Sequence, residues 1–432
     1  MYTATSTELR RPPAANGLAA YPGTSERFKI FLYSHDTFGL GHLRRNLAIA
    51  TRLLRSPRRF SVHLLTGSPV IGDWDVPQGL QVHPLVPVVK TGAESYASRE
   101  RGRLFGLVKG YREATILKLV LRHRPDVFLV DHAPAGMNGE LLSTLALIRR
   151  EIPEMRTILG LRDILDSPEN VRSVWHAQDI HALIDEAYDD VLVYGSRSLF
   201  DVVENYGIPP HIAQRVRYCG HVVEAPATDD GRHGGRDPRV CWSATRVQGR
   251  PVVLVTAGGG GDGQFLMEAY LRSLELLSSP APYSVIVLGP LMDSCDKASL
   301  RSMAAARSDV EVIDHTVNLV PSLQAADLIV AMAGYNTCAE ILANRKCAIL
   351  VPRAAPRAEQ RLRAALLARF GVARCLEPGE DLPQRLAATL PAALNAPMPS
   401  EATWSQLVLH GAERVTEYLS SLVPATVRWE RQ

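Results

Sequence analysis

Short apolar runs alternate with longer segments of helical periodicity along most of the chain. The first runs cover residues 29–33, 60–65, 126–131, 157–161, 190–194 and 215–219. The second set covers residues 251–256, 284–288, 310–313, 327–331 and 347–351. Runs this short and continuous predict parallel strands that are buried on both faces. The repeated alternation therefore predicts an α/β protein of two Rossmann-like, doubly wound domains that face each other across a cleft.

Changes in composition divide the chain further. Residues 1–26 are rich in Thr, Pro, Ala and Gly without a continuous apolar segment, which predicts a disordered leader and no secretory signal. Residues 225–250 contain a stretch dense in Gly, Pro and charge, which predicts a linker between domains over 27–224 and 251–400. Residues 401–432 carry an amphipathic pattern from Trp404 to Val423, which predicts a C-terminal helix packing back toward the N-terminal domain.

Charge and cysteine content narrow the functional class. Among 432 residues, 48 Lys and Arg balance 45 Asp and Glu, so the net charge of +3 gives no basic surface for bulk nucleic-acid binding. No apolar stretch reaches the roughly 20 residues of a membrane span. The six cysteines are scattered without a paired spacing, which argues against a metal site or disulfides and predicts a cytoplasmic protein.

The turn after the first predicted strand carries a candidate base. Residues 34–45 read Ser-His-Asp-Thr-Phe-Gly-Leu-Gly-His-Leu-Arg-Arg, with Arg44 where a dinucleotide fingerprint has its third glycine. His42 stands at a predicted helix N-terminus, where the dipole disfavours the imidazolium, so the ring can accept a proton near pH 7. The alternative is a histidine that only packs in the turn.

Two further strand ends supply polar candidates. Asp131 ends the third run and is the expected carboxylate partner of His42, since such a partner fixes the imidazole tautomer. The alternative is an aspartate that caps the following helix. Arg162 and Asp163 follow the next strand and either line the cleft or pair with each other on the surface.

In the second domain, a glycine loop over Gly258, Gly259, Gly260 and Gly261 lies between a strand and a helix. Such a loop presents backbone amides to an anion, a site suited to a nucleotide pyrophosphate. The loop lacks the Gly-Lys-Ser/Thr ending of an ATPase phosphate-binding loop. The alternative to an anion site is a flexible connection between the strand and the helix.

The stretch 331–352 predicts a strand, a glycine turn, a helix and a strand. Asn336 and Thr337 at the helix start are expected to hold phosphate oxygens, and Glu340 to accept bonds from a ribose diol. The alternative for Thr337 and Glu340 is a capping box. Glu359 and Gln360 open a later helix and either reach sugar hydroxyls or form a solvated face.

These motifs resemble the GT-B glycosyltransferases, particularly family 28, and the first domain resembles the UDP-dependent glucosyltransferases. The resemblance implies that the N-terminal domain binds the acceptor and the C-terminal domain the nucleotide sugar. It implies that Ile313 reads the uracil ring through its backbone, that Gly334 joins Asn336 and Thr337 at the phosphates, and that Glu359 and Gln360 hold the donor sugar. It also implies that His42 is the base and Asp131 its support. The acceptor side is expected to include Gly41, Arg44, His132, Arg162 and Asp163.

Departures from family patterns specify the expected mechanism. Met332 stands where retaining GT-B enzymes have the first glutamate of their Glu-x7-Glu motif, which favours inversion. Asp73 and Asp75 have the letters of a metal-binding Asp-x-Asp but lie in a loop of the other domain. We therefore expect an inverting, metal-independent transfer from a UDP-sugar to an acceptor hydroxyl on a small molecule or a lipid, with no cofactor besides the UDP-sugar co-substrate.

Rival functions share this architecture. Gly41 to Arg45 also resembles the Gly-His-x-x-Arg turn of UDP-sugar hydrolases, in which water replaces the acceptor. A UDP-sugar 2-epimerase and a non-catalytic nucleotide-sugar binding protein are further alternatives. The basic and apolar residues 99–112 predict either a helix packed on its own domain or peripheral contact with the inner face of a membrane.

Overall fold

The computed structural model describes residues 27–36, 41–58, 60–73, 76–90, 96–98, 104–223, 249–316, 318–353 and 357–424. The predicted leader and nearly all of the predicted linker lie outside these residues, as do Trp74 and Asp75. Every helix formed by these residues is too short or too polar to span a lipid bilayer.

The first lobe is built on a seven-stranded parallel sheet in the order β3-β2-β1-β6-β7-β8-β9. Its strands are β1 Lys29–Ser34, β2 Ser61–Thr66, β3 Gln81–Pro84, β6 Val127–Asp131, β7 Arg156–Arg162, β8 Asp190–Tyr194 and β9 Val216–Tyr218. A separate antiparallel pair is formed by β4 Val88–Lys90 and β5 Tyr96–Ser98. The helices of the first lobe are α1 Gly41–Leu54, α2 Phe105–His123, α3 Leu142–Glu151, α4 Pro168–Ala177, α5 Ile180–Ala187, α6 Val202–Tyr206 and α7 Pro210–Ala213.

The second lobe repeats the architecture with six parallel strands in the order β12-β11-β10-β13-β14-β15. These are β10 Val252–Thr256, β11 Tyr283–Val287, β12 Val310–Ile313, β13 Leu328–Ala331, β14 Ala348–Leu350 and β15 Arg374–Cys375. The helices are α8 Gln264–Glu275, α9 Ser294–Ala304, α10 Val320–Ala325, α11 Tyr335–Ala343, α12 Glu359–Arg369, α13 Leu382–Leu394, α14 Glu401–Trp404 and α15 Gly411–Ser421. The predicted α/β class with two doubly wound domains is confirmed.

Helices cover both faces of each sheet, which explains the continuous apolar strands. In β1, Ile30 and Leu32 pack into the core beneath α1, whereas Phe31 and Tyr33 pack into the core on the opposite face. Because β1 pairs with β6, and β6 with β7, the carboxyl ends of all three meet at one edge of the sheet. That edge faces the second lobe.

The C-terminal segment is two short helices, so the prediction of one helix from Trp404 to Val423 is wrong. Between α14 and α15 the chain runs extended against Gly220 and His221, where the His221 amide donates to the Val408 carbonyl at 3.1 Å. A side chain at Gly220 would collide with Val408, and its φ is +89°. This backbone crossing breaks the helix, and α15 then packs against α1 of the first lobe.

Helix α2 packs on its own lobe, the first of the two alternatives for this segment. Val108, Ile116 and Val120 are buried along one stripe, and the buried Arg112 guanidinium pairs with Glu140 at 2.6 Å. The opposite side exposes Leu107, together with Leu104 and Tyr111 near the helix start.

Candidate active site

The first lobe brings His42 and Asp131 into direct contact at the sheet edge. The Nδ1 of His42, in the first turn of α1, lies 2.6 Å from Oδ2 of Asp131, the last residue of β6. Arg45, one turn further along α1, holds the same carboxylate with Nη2 at 2.7 Å from Oδ1 and 2.8 Å from Oδ2. The helix therefore presents a base and a guanidinium to one buried carboxylate. The alternative role of Asp131, capping the next helix, is wrong.

Burial and charge set the protonation of this trio. Burial of Asp131 raises the pKa of its carboxyl, but the charge of Arg45 and the contacts with Arg45 and His42 outweigh burial and bring the pKa down to about 2. Burial lowers the pKa of His42, and Arg45 and Arg162 add to that effect, while Asp131 opposes it. His42 is therefore neutral near pH 7. The short contact with an ionised carboxylate places the ring proton on Nδ1, which leaves Nε2 as an acceptor.

Two more histidines adjoin His42 and form with it the cleft cluster, His35, His42 and His132. Ring centroids of His42 and His132 are 5.1 Å apart, and those of His35 and His42 are 5.7 Å apart. His132 follows β6 with a φ of +70°, so its ring turns back toward α1. Burial, followed by the charge of Arg162, lowers the pKa of His132 well below its ordinary value.

In the second lobe, the glycine loop turns sharply between β10 and α8. Gly258 and Gly260 have φ of +63° and +86°, and a side chain at Gly260 would collide with the Leu288 carbonyl. Gly258 donates to the Thr256 hydroxyl and Gly260 to the Ala257 carbonyl. The amides of Gly259 and Gly261 donate to nothing within the described residues. The loop is thus an ordered turn in which the amides of Gly259 and Gly261 can donate hydrogen bonds to a ligand.

Helix α11 begins earlier than a capping box over residues 337–340 requires, so that alternative is wrong. Its N-cap is Gly334, and its first internal bond runs from the Cys338 amide to the Gly334 carbonyl. The amides of residues 335–337 therefore lack helical partners. Glu340 lies further along the helix, and its carboxylate is bonded by the Arg44 guanidinium of the first lobe.

The two lobes meet directly beside His42. The Asn336 side-chain amide donates to the Gly41 carbonyl at 3.4 Å, one residue before His42. A small cleft separates α1 from α11 and is lined by Arg44, Arg45, Ala48, Val222, Val223, Asn336 and Glu340. Elements predicted for the acceptor and the donor thus touch at this point.

The start of α12 is tied to the glycine loop through Arg353. Its guanidinium bonds Glu359 at 2.6 Å and Asp262 of the loop at 3.0 Å, and its amide donates to the Gln360 side chain. Glu359 and Gln360 are buried, so the alternative of a solvated helix face is wrong. Ile313 ends β12, where its carbonyl accepts from the Leu288 amide at 3.0 Å.

Asp163 is not a surface partner of Arg162. Both of its oxygens bind the buried guanidinium of Arg363 on α12, each at 2.8 Å, so that Asp163 joins the lobes and does not present its carboxylate to the cleft. Sequence reasoning missed Arg363 and also Arg45, although i, i+3 spacing places Arg45 on the face of His42. It also missed Tyr335, whose ring lies 5.3 Å from the Arg45 guanidinium and 5.9 Å from that of Arg363.

Comparisons with known proteins agree with this geometry. Residues 252–417 match the glycosyltransferase family 28 C-terminal domain, which contains the glycine loop, α11 and the start of α12. The second lobe therefore matches this domain, and the chain as a whole has the GT-B fold. Comparison with curated protein sequences finds no match.

Solved glycosyltransferase structures resemble the whole chain at low identity. The kitacinnamycin glycotransferase has a TM-score of 0.61 and 16% identity, over 92% of this chain and 100% of that one. A Polygonum tinctorium UDP-glucosyltransferase that glucosylates indoxyl has a TM-score of 0.60 and 13% identity, over 92% and 99%. MurG of Acinetobacter baumannii has a TM-score of 0.53 and 13% identity, over 92% and 99%. Both lobes of this chain therefore share the GT-B fold of these structures.

Proposed function

We propose that this protein is a glycosyltransferase that moves a sugar from a UDP-sugar to an acceptor hydroxyl by an inverting, metal-independent mechanism with His42 as the base. The observation that carries the proposal is the His42–Asp131 pair beside the open amides of α11. His42 is partly buried, neutral and fixed in tautomer, and the contact from Asn336 to Gly41 brings the start of α11 next to it. A base and an anion site on opposite walls of a cleft suit transfer from a nucleotide diphosphate.

The chemical step follows from the free ring nitrogen. Nε2 of His42 takes the proton of the acceptor hydroxyl, and the oxygen attacks the anomeric carbon opposite the leaving group. The bond from that carbon to the diphosphate oxygen breaks, and UDP departs with the electron pair. Asp131 keeps the ring oriented and stabilises the imidazolium that forms.

Backbone amides are proposed to stabilise the leaving diphosphate. Gly259 and Gly261 have unused amides, and the first turn of α11 adds those of residues 335–337 at the positive end of its dipole. Oriented donors of this kind stabilise developing charge without reorganising. Gly258, Gly260, Gly334 and Thr337 shape this part of the site.

For the rest of the donor we propose that the backbone of Ile313 contacts the uracil and that Glu340 binds the ribose. Glu359 and Gln360 are proposed to bind the donor sugar. Glu340 then exchanges its bond from Arg44 for bonds from the ribose hydroxyls. The acceptor is proposed to be a hydroxyl of a small molecule or of a lipid. If the acceptor is a lipid, the exposed Leu107 and Tyr111 support peripheral contact with a membrane. We propose that the protein is cytoplasmic and that this contact is with the inner face of the membrane.

Donor binding and turnover are tested in sequence. A panel of UDP-sugars is compared by thermal shift, because the best donor raises the melting temperature by mass action. That donor is then incubated with and without candidate acceptors. Transfer that depends on an acceptor supports the proposal, whereas rapid release of free sugar without one supports a hydrolase. A product with its nucleotide–sugar bond intact supports an epimerase, and UDP binding without turnover supports a binding protein.

A further inference from the structure

Arg162 is a cation beside the cleft cluster, where its charge acts on both His42 and His132. It ends β7, beside Asp131 at the end of β6, and its Nε is buried without a hydrogen-bond partner in the described part of the chain. Within the same residues its guanidinium makes no ion pair. A buried guanidinium normally binds carboxylates or carbonyls, because an unpaired one pays a desolvation cost.

Arg357 approaches the same place from the second lobe. It precedes α12, and the next amide, that of Ala358, donates to Asp166 of the first lobe at 2.8 Å. This bond fixes the backbone beside Arg357 against the loop that follows Arg162. Arg357 likewise forms no ion pair among the described residues, and its charge acts on both Arg162 and His132.

The neighbouring carboxylates are already matched to other cations. Asp131 binds Arg45 and Asp163 binds Arg363, each through two oxygens. Glu359 binds Arg353 with one oxygen and leaves the other buried without a partner, so it offsets the charge of Arg162 electrostatically without bonding it. Among the described residues, the guanidiniums of Arg162 and Arg357, one from each lobe, therefore have no bonded carboxylate and can bind a ligand beside the cleft cluster.

We propose that Arg162 and Arg357 together bind an anionic group of a substrate, a phosphate or a carboxylate, next to His42. The proposal rests on the proposed function, since it names a feature of the substrates of that site. The planar donor geometry of a guanidinium matches both a phosphate and a carboxylate. Because one arginine comes from each lobe, binding of the anion depends on how closely the two lobes approach each other. The anion belongs either to the diphosphate of the donor or to an acceptor that carries its own negative group.

Calorimetry with three probes separates the two sources. UDP, uridine, and inorganic phosphate added to UDP-saturated protein are titrated into the wild type, Arg162→Met and Arg357→Met. Arg150→Met is the control, because it removes the same charge from an exposed position on the same lobe. Circular dichroism confirms that each variant is folded.

If the donor supplies the anion, both variants weaken UDP binding by about 10- to 100-fold and leave uridine unchanged. If the acceptor supplies it, UDP binding is unchanged, and the wild type and Arg150→Met bind phosphate while the two variants do not. Unchanged UDP affinity together with no phosphate binding by the wild type overturns the proposal. Failure of the wild type to bind UDP contradicts the proposed function instead.

Discussion

Within its described residues, the first lobe contains two clusters of three histidines, and their surroundings differ. The cleft cluster packs its rings 5.1–5.9 Å apart, and the edge cluster, His63, His83 and His123, packs its rings 5.0–5.5 Å apart. The cleft cluster has a carboxylate and a guanidinium in contact with one of its rings. In the edge cluster the hydrogen bonds of His63 go to His83 at 2.9 Å and to the Ser61 hydroxyl at 3.1 Å.

This difference shows what distinguishes a candidate base from a packed histidine. Burial lowers the pKa of His63, and the neighbouring imidazoles of His83 and His123 lower it further, to about 4. Among the described residues, no carboxylate lies against these rings to stabilise a proton that His63 takes up, so His63 is a poor base. His42 is also partly buried, but its contact with the Asp131 carboxylate stabilises its protonated form. Similar ring packing therefore supports different chemistry.

The largest expected effect comes from removing the base of the cleft cluster. His42→Ala should lower the transfer rate by about 10²–10⁴-fold, the range for a lost general base, while UDP affinity stays close to wild type. His83→Gln, in the edge cluster, is the matched control and should leave the rate unchanged. Steady-state assays and UDP calorimetry measure both quantities. Equal losses in the two variants would remove the distinction between the clusters.

Replacing the carboxylate makes the cleft cluster resemble the edge cluster. Asp131→Asn should lower kcat by about 10²-fold with little change in the KM for the donor, because the ring loses its orientation and its counter-charge. The buried Arg45 also loses its ion pair, so unfolding should become easier by about 3–5 kcal/mol. Kinetics and urea unfolding test both effects. A variant with normal kcat would refute the supporting role of Asp131.

The cleft cluster is linked to the second lobe through Arg44, which follows His42 by two residues on α1 and bonds Glu340 of α11. Arg44→Met frees Glu340, so UDP should bind a few-fold more tightly, in line with about 1 kcal/mol for a partly exposed ion pair. Arg52→Met on the same helix, with a half-exposed side chain, is the control. Calorimetry measures the two affinities. Weaker UDP binding by Arg44→Met would mean that this arginine contacts the nucleotide.

The smallest effect should appear in the edge cluster as acid sensitivity. The folded-state pKa of His63, about 4, lies below the roughly 6.5 of an unfolded chain, so the unfolded state binds more protons as pH falls. Its stability contribution is complete above pH 6.5 and is lost as pH falls toward 4. His63→Gln should therefore reduce the stability lost between pH 7.5 and 5.5 by about 1 kcal/mol. Urea unfolding measures this loss. If His63→Gln loses as much stability between pH 7.5 and 5.5 as the wild type does, the assignment of the acid sensitivity to His63 is wrong.

Local patterns in the sequence predicted the fold and the meeting of His42 with Asp131. Strand, turn and helix signals lie within a few residues, and ends of neighbouring parallel strands share one sheet edge. The bonds from Arg44 to Glu340 and from Arg363 to Asp163 could not be predicted, since each joins residues about 200 to 300 positions apart and depends on how the lobes meet. The edge strands β3 and β15 were missed because they are short and partly exposed.

Histidine ¹⁵N chemical shifts of the folded protein test the central claim most directly. At pH 7, His42 should be neutral with its proton on Nδ1, the tautomer that Asp131 selects, and its pKa should lie below the ordinary value. The assignment comes from comparison with the spectrum of His42→Ala. A His42 that is charged at pH 7, or neutral with its proton on Nε2, could not accept a proton from a substrate hydroxyl and would contradict the account.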